Sequence, residues 1–145
     1  MRSLTIREIT KETKEEVANF LERAGDSLST FTYFEKRKPE CLENHLLTAI
    51  LFDGKKGLAY GHLNREKEDV WLDVCVLSSE KRKGYGSSIM KFLLEEALIM
   101  NLTEVKSSIN KTNEAAINLF KKFGFEKNLE NNDFSLFLKV LPAKT

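Results

Sequence analysis

The chain contains few residues that would break or crosslink a fold. Only two prolines and seven glycines occur among its 145 residues, and no repeat, low-complexity stretch or linker is present. We therefore expect one domain over residues 1–145, long enough to bury a proper core. The two cysteines, Cys41 and Cys75, are far apart, and neither has metal-ligand spacing to His45 or His62. This pattern predicts free thiols in a reducing compartment and no metal site.

An excess of charge and a long apolar run are also missing. The 23 basic and 22 acidic residues leave a formal charge of +1, which argues against general nucleic-acid binding. No apolar run approaches the length of a membrane span, and residues 1–12 lack the apolar core of an export signal. We therefore expect a cytoplasmic protein that has no nucleic-acid or membrane partner.

The hydrophobic pattern predicts alternating strands and helices. Residues 4–9 alternate as a first strand, and Thr10 can cap an amphipathic helix that ends near Arg23. Residues 25–44 are irregular. Later strands are predicted over residues 46–52, 58–64, 70–77, 103–109 and 133–140, and later helices over residues 87–101 and 114–123.

The order of these elements predicts the fold class. The first three of the later strands read as an antiparallel meander. The passage from strand 70–77 through a helix to strand 103–109 implies that these two strands are parallel neighbours. The sequence thus predicts an α/β (α+β) fold with a mixed, mostly antiparallel central sheet and helices on both faces.

The most informative segment is EKRKGYGSS at residues 80–88, between an apolar strand and a long helix. Its two glycines allow a sharp turn and a close approach to a ligand, and the N–H groups at a helix start attract anions. Three adjacent cations add positive charge. A dinucleotide fingerprint would need a third glycine at Ile89, and a P-loop would need Gly-Lys-Ser/Thr after four residues. The segment predicts a phosphate-binding turn of another kind.

The spacing of Lys81, Gly84 and Gly86 resembles the pyrophosphate loop of the GNAT N-acetyltransferase superfamily, Gln/Arg-x-x-Gly-x-Gly/Ala, with lysine as the cation. A second segment, NEAAINLFKKFGF at residues 113–125, resembles the superfamily's Asn-x-x-Ala-x-x-Leu-Tyr-x-Lys-x-Gly-Phe, with Phe120 in place of tyrosine. Taken by itself, the second segment could be a purely structural amphipathic helix with good caps. A purely structural role would not explain why that helix follows the loop after one helix and one strand, as the family order requires.

The resemblance covers residues 70–126 and implies an acetyl-CoA site. In the family two parallel strands splay apart, and the pantetheine arm enters between them as an added strand. The implied contacts of the pantetheine arm are the backbone of Val74 and Val76 and the side chain of Asn113, and Phe120 is implied to lie near the thioester. The implied contacts of the pyrophosphate are the residues of the loop, namely Lys81, Arg82, Lys83, Gly84, Tyr85, Gly86 and Ser87. For Asn113, a helix cap and nothing more is the alternative.

Acetyl transfer to an amine needs a base, because an amine with a pKa near ~10.4 is mostly protonated at neutral pH. Asp73, a carboxylate inside an apolar strand, is the first candidate, and a charge on a half-exposed strand face is the alternative. His62 is the second candidate, because imidazole titrates near neutral pH, and a surface histidine near a hairpin end is its alternative. His45 is a third candidate. The sequence does not choose among them.

Residues 31–45 carry three aromatic residues and a cation cluster without the pattern of a strand or a long helix. We expect this segment to form a wall of the acceptor pocket, with Tyr33, Phe34, Arg37 and His45 as substrate-binding residues. The alternative is a small satellite core with its cations facing water.

Two functions remain open at this point. The first is an acetyl-CoA-dependent N-acetyltransferase that acts on a small amine, an amino sugar or a protein amine. The second is a CoA-binding sensor that does not catalyse, and Phe120 keeps it open because phenylalanine lacks the family tyrosine's hydroxyl. A homodimer is compatible with either function.

Overall fold

The computed structural model describes residues 3–29 and 45–142, and these contain three α-helices and seven strands. The strands are β1 (Leu4–Glu8), β2 (His45–Asp53), β3 (Lys56–Glu66), β4 (Asp69–Val76), β5 (Glu104–Asn110), β6 (Glu126–Glu130) and β7 (Phe134–Val140). The helices are α1 (Glu15–Arg23), α2 (Tyr85–Ile99) and α3 (Glu114–Lys122). None of the described helices is long and apolar enough to cross a membrane.

The strands form one sheet in the order β1-β2-β3-β4-β5-β7-β6. Every neighbouring pair is antiparallel except β4 and β5, which are parallel. The predicted mixed, mostly antiparallel sheet is confirmed. Strand β6 was not predicted, because all five of its residues are exposed and its sequence has no apolar alternation.

Helices cover both faces of the sheet, as predicted. A Cβ atom built on Gly61 of β3 would lie 2.5 Å from Ile89 and 2.7 Å from Leu93, so α2 packs on this face. The neighbouring Tyr60 points to the other face, where its ring stacks on Phe20 of α1 with centroids 6.1 Å apart. Because adjacent residues of a strand face opposite sides, α1 and α2 lie on opposite faces.

The start of α1 differs from the prediction. A 3₁₀ turn at Lys11–Thr13 precedes the helix, and the Thr10 N–H donates to Thr13 Oγ1 at 2.9 Å. Thr10 therefore caps this short turn, and α1 itself begins at Glu15.

Strands β4 and β5 separate along their length. In the described part of the chain their ladder has one registered pair, Trp71 with Lys106. Beyond it, the Leu77 N–H donates to the carbonyl of Leu58 in β3 at 3.0 Å. Since backbone groups alternate sides along a strand, those of Val74 and Val76 point away from β3 into the gap. The resemblance implied this splay.

We predict that Gly61→Ala lowers the free energy of unfolding by about 1–3 kcal/mol, because the added methyl overpacks the contact with α2. Urea unfolding measures the change. Gly57→Ala on the same strand is the matched control: its Cβ would meet Ile50 at 3.1 Å, a milder contact, so the loss should be smaller. Equal stability of Gly61→Ala and the parent would contradict this packing.

Candidate active site

The gap between β4 and β5 opens into a groove of about 640 Å³. The end of β4, the loop that follows it and the N-termini of α2 and α3 form its walls. All the predicted cofactor residues except Lys83 line it, namely Val74, Val76, Lys81, Arg82, Gly84, Tyr85, Gly86, Ser87, Asn113 and Phe120.

The loop before α2 has the backbone of an anion site. Arg82 (φ 66°) and Gly84 (φ 84°) are both left-handed, and Gly84 is the N-cap of α2. Within residues 45–142 no side chain caps this helix, and its first turn carries no acidic residue. The first N–H groups of α2 therefore remain available to an anion, which the helix dipole also favours.

The two loop glycines have different roles. A Cβ atom on Gly86 would lie 3.2 Å from Leu119 of α3 and 3.4 Å from Val76 of β4, so the absence of a side chain lets three elements approach closely. A Cβ atom on Gly84 would meet nothing within 4 Å. Its requirement for glycine comes from the positive φ, which other residues adopt at a cost of about 1–2 kcal/mol.

The cations of the loop divide into two groups. Lys81 and Arg82 line the groove, whereas Lys83 lies outside its lining and pairs with Glu80 at 2.8 Å. The Glu80 carboxylate is buried and also pairs with Lys56 at 3.3 Å. Two of the three adjacent cations thus face the groove.

Ser27 is a groove residue that the sequence did not reveal. It belongs to the 3₁₀ helix Gly25–Ser29, and its hydroxyl donates to the carbonyl of Val76 at 2.6 Å. That carbonyl is one of the groups that point into the gap. A serine in an irregular segment, distant in sequence from β4, gives no pattern that would identify it.

Helix α3 contributes the two predicted residues of the second segment. The Asn113 side chain caps α3 by accepting from the Ala116 N–H at 3.1 Å, and it lines the groove as well. Phe120 is buried and packs edge-on against Phe125 with centroids 4.8 Å apart. Gly124 ends the helix at φ 89°, as predicted.

The structure brings the three candidate bases together. His62 of β3 lies opposite Asp73 of β4, and His62 Nε2 is 3.0 Å from Asp73 Oδ2. The distance is that of an ion pair, and the contact does not have the geometry of a hydrogen bond. The rings of His45 and His62 are in contact, with centroids 4.3 Å apart.

The alternative that made His62 a surface residue is wrong. His62 is 0% exposed, and the rings of His45 and Tyr60 pack against its imidazole. The Asp73 side chain is 23% exposed, so Asp73 is the partner that reaches the surface. His45 is half-buried and accepts or donates a hydrogen bond at 2.9 Å with Thr48 Oγ1. The predicted acceptor residues Tyr33, Phe34 and Arg37, like Cys41, lie outside the described residues.

A family comparison decides what kind of domain this is. Residues 6–125 match the sequence model of the Acetyltransferase (GNAT) family, which is most of the chain. The chain belongs to the GNAT acetyltransferase family. The resemblance stated from the two motifs is thus confirmed.

Solved structures agree on the fold of this GNAT chain. An N-acetyltransferase from Staphylococcus aureus Mu50 is 17% identical, with 97% of this chain and 99% of that chain covered and a TM-score of 0.78. PaiA N-acetyltransferase from Thermoplasma acidophilum, in complex with coenzyme A, is 14% identical, with coverages of 95% and 99% and a TM-score of 0.79.

A third structure, yncA of Salmonella typhimurium, a putative acetyltransferase with its cofactor acetyl-CoA, is 16% identical, with coverages of 99% and 96% and a TM-score of 0.79. At these identities the likeness establishes the fold alone. No curated protein sequence matches the chain.

The GNAT groove also contains a thiol. Cys75 is a free cysteine, as predicted, and it lies between Val74 and Val76 in the groove wall. Burial raises the pKa of the Cys75 thiol to about 12, although the positive charge of Lys81 acts in the opposite direction. At neutral pH the thiol is therefore protonated and a poor nucleophile.

We predict that Cys75 is alkylated by iodoacetamide at least about a hundredfold more slowly in the folded protein than in urea at pH 8, because only the thiolate reacts. The Cys41→Ser background leaves Cys75 as the single thiol, and intact mass follows the reaction. The thiolate forms only as the pH approaches 12, so raising the pH from 8 to 9 should leave Cys75 largely protected. Equal rates in folded and unfolded protein would contradict the raised pKa.

Proposed function

We propose that this GNAT protein transfers an acetyl group from acetyl-CoA to the primary amine of a small molecule, an amino sugar or a protein. The observation that carries the proposal is the joining of two features in one groove. The strand backbone at the gap, which β5 pairs at Trp71 alone, suits an extended amide chain, and the start of α2, which no described side chain caps, suits a phosphate.

The residues of the groove fit acetyl-CoA in a defined orientation. Val74 and Val76 present backbone groups to the amides of the pantetheine arm, and Asn113 lines the same groove. Lys81 and Arg82, with the first N–H groups of α2, would hold the pyrophosphate. Relatives of the same fold are described in complex with coenzyme A and with acetyl-CoA, which supports this ligand.

Asp73 is the proposed proton acceptor. A general base must reach the substrate ammonium directly or through one water molecule. The exposed fraction of the Asp73 side chain allows this contact, whereas His62 is fully buried and can act only through Asp73. These exposures support Asp73 rather than His62 as the group that contacts the substrate.

The acetyl group passes directly to the amine in this proposal, since the protonated Cys75 thiol is unsuited to carry it. The ammonium gives one proton to Asp73, and the free amine attacks the thioester carbonyl carbon. A carbon–nitrogen bond forms as the carbon–sulfur bond breaks. The nitrogen then loses a second proton, and one proton is taken up by the departing thiolate. The products are an amide, CoA thiol and one net proton.

Phe120 supports a second candidate function, a CoA-binding sensor. The family motif places a tyrosine hydroxyl here, and the buried phenyl ring of Phe120 has no proton to donate to the leaving sulfur. A thiol with a pKa near ~8.5 leaves readily, however, so water can supply that proton. We therefore favour the enzyme. Release of CoA thiol in the presence of a panel of amines distinguishes the two functions.

We predict that Gly84→Ala weakens acetyl-CoA binding about tenfold or more, because alanine adopts the left-handed turn beside the pyrophosphate only at a cost of about 1–2 kcal/mol. A loss of about 1.4 kcal/mol in binding free energy corresponds to a factor of ten in the dissociation constant. Calorimetry measures the dissociation constant.

Gly54→Ala is the matched control for that variant. Gly54 also has a positive φ, of 60°, and a Cβ atom there would likewise meet nothing within 4 Å, but it lies at the hairpin between β2 and β3. Both variants should lose similar stability, and only Gly84→Ala should lose affinity. Equal affinities would exclude the loop as the phosphate site.

We predict that Asp73→Asn lowers kcat about 10²–10⁴-fold for any amine that the parent acetylates, because the amide cannot accept the proton. The dissociation constant of acetyl-CoA should change little. Release of free thiol and the mass of the acetylated product give the rate. Asp53→Asn, at the far end of β2, is the control and should keep parental turnover. Full activity of Asp73→Asn would remove Asp73 from the proposal.

A further inference from the structure

Three polar side chains form a chain of contacts between β3 and β4. Tyr60 Oη is 2.6 Å from His62 Nδ1, and His62 Nε2 is 3.0 Å from Asp73 Oδ2. Tyr60 and His62 are both 0% exposed. The chain therefore runs from the interior of the fold to the one side chain that reaches the surface.

The surrounding residues fix the inner end of this chain. The ring of Tyr60 stacks on Phe20 of α1 at an interplanar angle of 27°, and Phe20 is fully buried. Tyr60 also meets the edge of His62 at 75°, with centroids 5.4 Å apart. These two ring contacts help to hold the Tyr60 hydroxyl beside His62 Nδ1.

These contacts select one tautomer of His62. A neutral imidazole has one N–H donor and one acceptor nitrogen. The nitrogen beside the Asp73 carboxylate is favoured as the donor, because a carboxylate only accepts, so Nε2 carries the proton and Nδ1 accepts from the Tyr60 hydroxyl.

We propose that Tyr60 is a positioning residue for Asp73, and this inference rests on the proposed role of Asp73 as proton acceptor. The Tyr60 hydroxyl holds the proton of His62 on Nε2, and the electrostatic attraction of that N–H, 3.0 Å from Asp73 Oδ2, orients the Asp73 carboxylate toward the position where the substrate ammonium gives up its proton. Tyr60 itself contacts neither the amine nor the thioester.

A merely structural role makes a different prediction. If the Tyr60 hydroxyl only satisfied a buried nitrogen, Tyr60→Phe would lower stability and leave turnover and the Asp73 contact unchanged. A positioning role requires that the same variant also changes the state of His62 and the rate constant kcat. The two roles are therefore separable.

The protonation state of His62 can be read directly by NMR. The chain has two histidines, so long-range proton–nitrogen spectra of the full-length protein contain two imidazole patterns, and His45→Gln assigns them. In the parent we expect His62 with a protonated Nε2 and an unprotonated Nδ1. In Tyr60→Phe we expect a mixture of tautomers, and in Asp73→Asn a shift of the Nε2 signal.

Thr48→Val is the matched control for the spectra. It removes the hydroxyl that contacts His45 Nδ1 at 2.9 Å, so the pattern of His45 should change and that of His62 should keep its tautomer. A parent spectrum with the His62 proton on Nδ1 would overturn the proposal, and this measurement needs no variant.

Kinetics complete the test. With an amine that the parent acetylates, Tyr60→Phe should lower kcat about tenfold to a hundredfold, with the dissociation constant of acetyl-CoA unchanged, because a small misplacement of a reacting group has an effect of this order. Parental kcat in Tyr60→Phe would overturn the positioning role. The spectra decide the tautomer whether or not an amine is turned over, so a failure of the proposed function would appear in the turnover assay alone.

Discussion

The separation of β4 from β5 is the constraint on which the rest of the molecule depends. The two strands meet at the pair of Trp71 and Lys106 and then diverge, and Lys106 Nζ also binds Asp69 at 3.0 Å near that point. Backbone groups in the middle of a sheet are normally paired, because a buried unpaired group is costly. Here the Ser27 hydroxyl donates a hydrogen bond to the carbonyl of Val76. The groove leaves room for a ligand beside the other backbone groups of β4 that face the gap.

Two glycines place the N-terminus of α2 at the gap between β4 and β5. Gly61 lets α2 pack tightly on β3, and Gly86 lets the first turn of the same helix lie against Val76 and Leu119. The N-terminus of α2 is thereby held at the mouth of the gap, where its N–H groups and dipole can act on an anion. The ion pair of Glu80 with Lys83 removes one positive charge from that mouth, so backbone geometry as much as side-chain charge defines the anion site.

Local pattern predicted the elements whose residues alternate or carry caps, and it failed where tertiary contacts decide. The meander, the glycine loop and the Asn113 cap follow from apolar periodicity and turn chemistry. The splay followed only from the family resemblance, because no local pattern states that two parallel strands diverge. The burial of His62 and the hydrogen bond from Ser27 to Val76 depend on which strands and loops become neighbours in the fold. The local sequence around His62 and Ser27 therefore does not predict either feature.

Strand β4 combines the two halves of the proposed reaction. Its edge faces the gap through the backbone of Val74 and Val76, whereas the side chains of Asp73 and Cys75 point to the face that α1 covers, since they lie opposite His62 and Tyr60. In the proposed reaction the acyl donor lies along the edge of β4, and the base, Asp73, lies on the face that α1 covers. The acceptor amine can reach both only if it approaches from that face. The proposed reaction thus requires an acceptor on the face of the sheet opposite α2.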